Sequence, residues 1–331
     1  GHSSSLEFNR SLDHKRATKI DSSAHKGLIH HIRNAQHTIY METQFFLSSS
    51  FLWPEQKTSL CCNLVAAEMT FKICSKIEAG ERFSAYIVLP MWSEGLPNSL
   101  SVQNILACQS YSMRAMYKRI AQSIQRRRNI LASEGTQQEI EDFKDIMPTD
   151  YLNFYCLATR ERKQGPTGIG LLSQTRRHLV YVHSKLTIVD DAILLCGSVN
   201  INQRSLDGSR DSELYMGSWQ PDHLATKDYV AHGAVHGFRL HCFAHLTGAM
   251  EECFRLPSSL ECVRRVNALA TANWRRYIQT EVCEMAYPVV PYPIKIDRNG
   301  DVAPATESGK FPDTNADILG SIGTLPKFLF T

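Results

Sequence analysis

Polar and apolar positions along the chain follow two periods, and the switches between them mark out the elements. From Asp21 through Ala35 the apolar positions recur at helical spacing. Residues 38–46 then alternate with period two, which predicts a strand with Ile39, Met41 and Phe45 on one face and Glu42 and Gln44 on the other. Residues 64–79 read as an amphipathic helix, and 83–90 as a buried strand stopped by Pro90. A long helical stretch covers 100–130 and closes on Arg126-Arg127-Arg128, followed by an acidic loop or short helix over 132–150. Residues 152–157 read as a strand, 161–177 as a Gly/Pro/Lys/Arg-rich loop, and 192–196 and 210–216 as further strands. A helix near 259–277 precedes Pro-rich segments at 288–293.

Helices alternating with buried strands predict an α/β layered fold. The length of 331 residues and the 43% hydrophobic content allow one large domain or two ordinary ones. Thirty-six basic against 33 acidic side chains leave a net charge of +3, which gives no global argument for nucleic acid. Ten cysteines without a C-x-x-C pair read as free thiols in a reducing compartment. No apolar run reaches the roughly 18 residues of a membrane span. The first residues, Gly-His-Ser-Ser-Ser, lack the apolar core of a signal peptide, and a start at Gly1 rather than Met is read as a piece of a longer protein.

The chemistry concentrates in Tyr181-Val182-His183-Ser184-Lys185-Leu186-Thr187-Ile188-Val189-Asp190, which has the form H-x-K-x-x-x-x-D. In a strand, His183 and Lys185 project from one face and Ser184 from the other. An imidazole and an ammonium side by side suit a phosphate ester. The imidazole attacks phosphorus or exchanges a proton with the leaving group, and the ammonium meets the transition-state oxygens. Asp190-Asp191 fall where the strand should turn. Gly197-Ser198-Val199-Asn200 then offers a close-approach glycine, a hydroxyl and an amide at an expected helix N-terminus, where anions are favoured. Glu213, in an expected strand over 210–216, is placed to orient His183.

These residues carry a resemblance. His183, Lys185 and Asp190, followed by Gly197 to Ser205 and Asp207 to Glu213, resemble the second His-Lys-Asp motif of plant phospholipase D. Ile39 to Phe46 is similar to that family's I-Y-I-E-N-Q-Y-F block, with Thr43 in place of Asn and Phe45 in place of Tyr. Val88 to Gly95 is similar to its V-P-M-W-P-E-G block. Gln220 to Ala225, His236 to Arg239 and Phe311 to Thr314 recur there too, and the loop at 161–177 is shorter than the family's.

The resemblance implies a phospholipase D-like α-β-α sandwich, as one of two pseudo-symmetric halves. Residues 1–20, polar and basic, are expected to pack loosely, and the resemblance implies the catalytic half over 21–257 and the family's C-terminal region over 258–331. It further implies hydrolysis of phosphatidylcholine and similar phospholipids to phosphatidic acid through a phospho-histidine. The other motif, and a calcium- and lipid-binding C2 domain, are expected upstream of Gly1. On this reading His183 is the general acid and base, and Lys185, Ser198 and Asn200 hold phosphate oxygens. Glu213 positions His183, Asp190 shapes the hairpin, and Glu42 and Gln44 form a possible site wall. Calcium is implied as a cofactor, bound mostly outside this chain, and no metal is expected within it. The expected partners are membrane phospholipids and the upstream half, with no nucleic acid. A homodimer pairing two copies of His183 is not expected. The location implied is cytoplasmic and peripheral to a membrane. Other readings are a lipid-binding fragment without turnover and a different phosphodiesterase, such as a nuclease.

Three weaker signals complete the picture. Arg126-Arg127-Arg128 with Lys118 and Arg119 reads as a solvated helix face before it reads as a lipid contact. His241 and His245 lie one helical turn apart without a third metal ligand. Trp53 and Trp92 suit either the core or the wall of a lipid channel.

Overall fold

The computed structural model describes residues 20–53, 60–161, 171–220 and 232–323. One mixed sheet organises it. Three parallel strands, β1 (Thr38–Glu42), β2 (Ser84–Val88) and β3 (Leu152–Arg160), lie at its centre. Antiparallel strands continue on both sides: β4 (Arg177–Val180) on β3, and β5 (Leu186–Val189), β6 (Ile193–Gly197) and β7 (Tyr215–Trp219) running outward from β1. The order is β4-β3-β2-β1-β5-β6-β7, and β8 (Val289–Pro291) also pairs with β3.

Side-chain alternation assigns each central strand to two cores. On one face Ile39, Met41, Ala85, Ile87, Phe154 and Cys156 pack under α1 (Ser23–Asn34), α2 (Val65–Ala79) and α3 (Leu100–Glu134). Leu28 and Ile32 of α1, and Val65, Met69, Ile73 and Ile77 of α2, recur every four residues and supply the facing stripes. On the other face Tyr40, Tyr86, Val88 and Tyr155 meet α7 (Ala234–Thr247) and α8 (Leu260–Ile278) through Phe243, Leu246, Cys262, Val263 and Val266. The expected α-β-α layering is therefore present. Short helices α4 (Gln137–Phe143), α5 (Leu171–Thr175) and α6 (Gln203–Leu206) fill connections. A small hairpin of β9 (Ile294–Ile296) and β10 (Val302–Pro304) stands apart from the main sheet.

Residues on both sides of the expected boundary at 258 share these cores. α8 covers the sheet, and β8 hydrogen-bonds to β3. Arg160, fully buried, ties the end of α8 to the sheet. Its guanidinium donates to the carbonyls of Arg276, Gln279 and Thr280, where a helix C-terminus favours a cation.

Several expected bounds shift. β1 stops at Glu42 instead of running to residue 46. The Thr43 N–H still bonds Val88 O, but the Thr43 hydroxyl then caps the carbonyl of Phe45 and turns the chain. The 132–150 stretch contains α4, begun by a Thr136–Glu139 capping box. The strand expected over 210–216 begins only at Tyr215, so Glu213 precedes it. Residues 1–19, most of the 161–177 loop and the 221–225 block lie outside the described residues.

β5 and β6 are joined by a tight turn. Asp190 and Asp191 both take positive φ, 54° and 56°, and Ala192 N–H bonds Val189 O at 3.0 Å. Two left-handed central residues make the hairpin turn whose twist matches that of the strands. Aspartate tolerates this region better than most residues. β7 ends the sheet; most of its residues are exposed, Met216 and Trp219 among them.

Candidate active site

The described site lies where the segment leading into β5 meets the turn after β6. His183 and Lys185 were expected within a strand, but residues 181–185 link β4 to β5 without strand pairing of their own. The nearest ladder contact is Gly197 N–H to Lys185 O, 3.2 Å. On its other side Gly197 lets the backbone of Leu214 come close, since a Cβ there would stand 2.0 Å from the Leu214 carbonyl oxygen.

Lys185 is the hub. Its ammonium donates to Gln44 Oε1 at 3.2 Å and folds back onto the carbonyl of His183. Asn200 Nδ2 reaches the same Gln44 Oε1 at 3.3 Å, so an ammonium and an amide converge on one oxygen. Gln44 Nε2 in turn donates to the hydroxyl of Tyr181 at 3.0 Å, and the Glu94 N–H donates to that hydroxyl at 2.9 Å. Partial burial holds the Lys185 ammonium below the usual lysine range, while the charge of Glu213 pulls in the opposite direction.

His183 is exposed. Its ring lies 6.4 Å from that of Tyr181, and among the described residues no group bonds its ring nitrogens. The expected contact with Glu213 is not formed. The Glu213 carboxylate instead accepts from the Ser198 hydroxyl, whose oxygen receives Leu214 N–H at 3.0 Å. Nor do Ser198 and Asn200 stand at a helix N-terminus. The next helix, α6, begins at Gln203, is one turn long, and is capped by Asn202, which accepts from Ser205 N–H at 3.0 Å. What faces the site is therefore a turn, not a helix dipole.

Glu42 and Gln44, expected on one face, part company because β1 ends between them. Glu42 accepts from Tyr40 (2.5 Å) and from the hydroxyl of Ser184. Together with Ser184, Lys185, Cys196 and Cys242 it lines a neighbouring cavity of about 650 Å³ whose other wall carries His241 and His245. Burial pushes the Cys242 thiol up to about 12, away from the range of reactive thiolates. The two histidine Nε2 atoms lie 3.0 Å apart.

Asp190, the third member of the His-Lys-Asp motif and expected to shape the hairpin, sits at the other end of β5, about 16 Å of strand from Lys185. Its carboxylate accepts the backbone N–H groups of Gln36 (2.7 Å), His37 (2.7 Å) and Thr38 (2.8 Å). Burial pushes its pKa up and these three donors pull against that shift. It anchors the turn to the start of β1 and bonds none of Lys185, Ser198 or Asn200. Asp191, its neighbour, is held by His236 and Arg239 of α7, residues to which the sequence reading gave no role. Tyr181 was also passed over, although its position two residues before His183 continues the spacing from His183 to Lys185.

The weaker signals separate. Trp53 is a core residue donating to Ser112 (3.2 Å), and Trp92 packs on Phe311 at 5.2 Å. Arg126 pairs with Glu78 at 2.6 Å, Lys118 with Asp301 at 2.9 Å, and Arg128 donates to Ile146 O. Among the described residues no helix is long and apolar enough to cross a membrane.

Residues 2–320 match the protein family described as Phospholipase D. Phospholipase D alpha 2 of Oryza sativa subsp. japonica is 43% identical over 330 residues, covering 94% of this chain and 38% of that protein. Phospholipase D beta 2 of Arabidopsis thaliana is 40% identical over 91% of this chain and 33% of its own length. The chain thus spans well under half of the curated relatives it matches. Among solved structures, the phospholipase D family member Nuc from Salmonella typhimurium aligns remotely, with a TM-score of 0.26 and 14% identity over 59% of this chain and 74% of that one.

Proposed function

The chain belongs to the phospholipase D family, and from that premise we propose that it supplies one half of a site that hydrolyses glycerophospholipids such as phosphatidylcholine. The observation that carries this reading is the convergence of Lys185 Nζ and Asn200 Nδ2 on a single oxygen of Gln44, 3.2 and 3.3 Å away, beside an exposed imidazole. Two nitrogen donors held on one shared oxygen suit the non-bridging oxygens of a phosphodiester, and donors already in place can meet charge as it develops.

The chemistry divides between two histidines. A histidine of the upstream motif attacks phosphorus, and the bond from phosphorus to the head-group oxygen breaks. His183, protonated, gives its proton to the departing alcohol. His183, now neutral, then takes a proton from water. The hydroxide attacks phosphorus, the nitrogen–phosphorus bond breaks, and phosphatidic acid leaves. One imidazole does not serve both roles, because the nucleophile must be neutral while the acid carries a proton. Replacing water by a small alcohol gives head-group exchange by the same path.

The calcium implied by the resemblance calls for a cluster of oxygen ligands. Among the described residues no group of three or more His, Cys, Asp or Glu side chains is arranged to hold a metal ion, so no step is routed through calcium.

The test is turnover of labelled phosphatidylcholine vesicles by this chain alone and by the protein carrying both motifs. The second should hydrolyse lipid, and His183→Asn in it should abolish hydrolysis. Strong turnover by residues 1–331 as a monomer overturns the half-site reading, and vesicle binding without turnover in the two-motif protein replaces it with a lipid-binding role. Cleavage of DNA in preference to lipid moves the assignment to a nuclease.

A further inference from the structure

The orientation of the Gln44 amide is fixed by its neighbours. An ammonium has no acceptor, so the Gln44 carbonyl oxygen must face Lys185, and the NH2 end must face Tyr181. The Tyr181 oxygen then accepts two protons, from Gln44 Nε2 at 3.0 Å and from Glu94 N–H at 2.9 Å. Neither neighbour accepts one in return. The phenolic proton is left to point away from both, and the Tyr181 ring stands beside that of His183. The other hydroxyl of the cluster behaves in the opposite way. Ser198 spends its proton on the Glu213 carboxylate and so has none for an anion.

We infer that Tyr181 is a further phosphate ligand of this site: its hydroxyl donates to a non-bridging oxygen of the phosphoryl group that Lys185 grips, in the place the sequence reading gave to Ser198. Gln44 is the positioning residue, holding the ammonium on one end of its amide and the phenol on the other. The inference rests on the phosphodiesterase reading above and extends its ligand set.

The probe is sodium tungstate, a tetrahedral oxyanion whose metal scatters anomalously, titrated into the chain as it stands. Wild-type protein should bind it, Lys185→Gln should abolish binding, and Tyr181→Phe should weaken it about tenfold or more, as loss of a hydrogen bond to a charged group does. Equal affinity of wild type and Tyr181→Phe, with Lys185→Gln still defective, overturns the role of Tyr181 and leaves the phosphodiesterase reading standing. No binding by wild type, or binding indifferent to Lys185→Gln, overturns both. Should Tyr181→Phe fail to fold, the tungstate complex of the wild type decides. A tungstate oxygen within hydrogen-bond reach of the Tyr181 oxygen supports the inference, and an anion seated elsewhere removes it.

Discussion

Asp191 and Arg239 face each other in full burial, with Oδ1 to Nε at 2.8 Å and Oδ2 to Nη2 at 2.7 Å. His236 Nδ1 lies 2.7 Å from the same carboxylate, and Arg239 also donates to Phe254 O. The group clamps α7 to the β5–β6 turn, and thereby fixes the layer that carries one wall of the cavity beside Lys185.

Removing one member of such a cluster leaves the other buried and uncompensated. Asp191→Asn is expected to cost about 3–5 kcal/mol of stability, measured by urea unfolding at neutral pH.

Acid should erase that difference. Burial alone would raise the Asp191 pKa, but its hydrogen bonds from Arg239 and His236 outweigh burial and hold it below the usual carboxylate value. A group depressed in the folded state contributes stability above its unfolded pKa, about 3.9 for aspartate, and loses it as pH falls through the folded value. The gap between wild type and Asp191→Asn should therefore be constant above pH ~5 and shrink below pH ~4. A gap that widens on acidification would contradict this account.

Asp190 separates turn chemistry from catalysis. Asp190→Ala loses three charge-assisted bonds and places alanine at a φ of 54°, so a loss of about 2–3 kcal/mol is expected. In the two-motif protein, kcat/KM per folded molecule should stay within about threefold of wild type. A loss of several orders of magnitude at full folding would place Asp190 in the catalytic set instead.

Gly197→Ala tests the close approach of β6 to Leu214. The added methyl meets the Leu214 carbonyl at 2.0 Å and forces the strands apart where Ser198 N–H bonds Leu214 O. A cost of about 1–3 kcal/mol is expected, with a lowered melting temperature and weaker anion binding together.

Lys185→Gln keeps a polar side chain and removes the charge. A fall in kcat/KM of about 10²–10³-fold is expected for phospholipid hydrolysis by the two-motif protein. Because burial lowers the Lys185 pKa, the wild-type alkaline limb should begin below the pH at which free lysine titrates, and the variant should lack that limb.

What could be read in advance was local. Within the stretch 83–90 expected as a buried strand, β2 covers Ser84–Val88 and is buried at every position, and the stripes of α1 and α2 lie where their spacing put them. The H-x-K spacing marked the segment that holds Lys185 against Asn200 through Gln44. What escaped was set by partners distant in sequence. Period two carried the expected β1 through Gln44, but the Thr43 hydroxyl turns the chain at Phe45 and sends Glu42 and Gln44 to different neighbours. Glu213 was assigned to His183 on order alone, and only the packing of the 197–214 turn reveals that Ser198 takes it. Asp191 lies 45 and 48 residues from His236 and Arg239, beyond the reach of any pattern in a single chain.

The outer margin of β7 has a consequence for handling the protein. Among the described residues no strand pairs with it, and Leu214, Met216 and Trp219 are each more than 60% exposed along it. Backbone donors and acceptors that no described strand pairs with, next to apolar side chains, form a template for adding strands from other molecules. In concentrated solution, aggregation should begin here, and a lysine in place of Met216 should keep the chain dispersed.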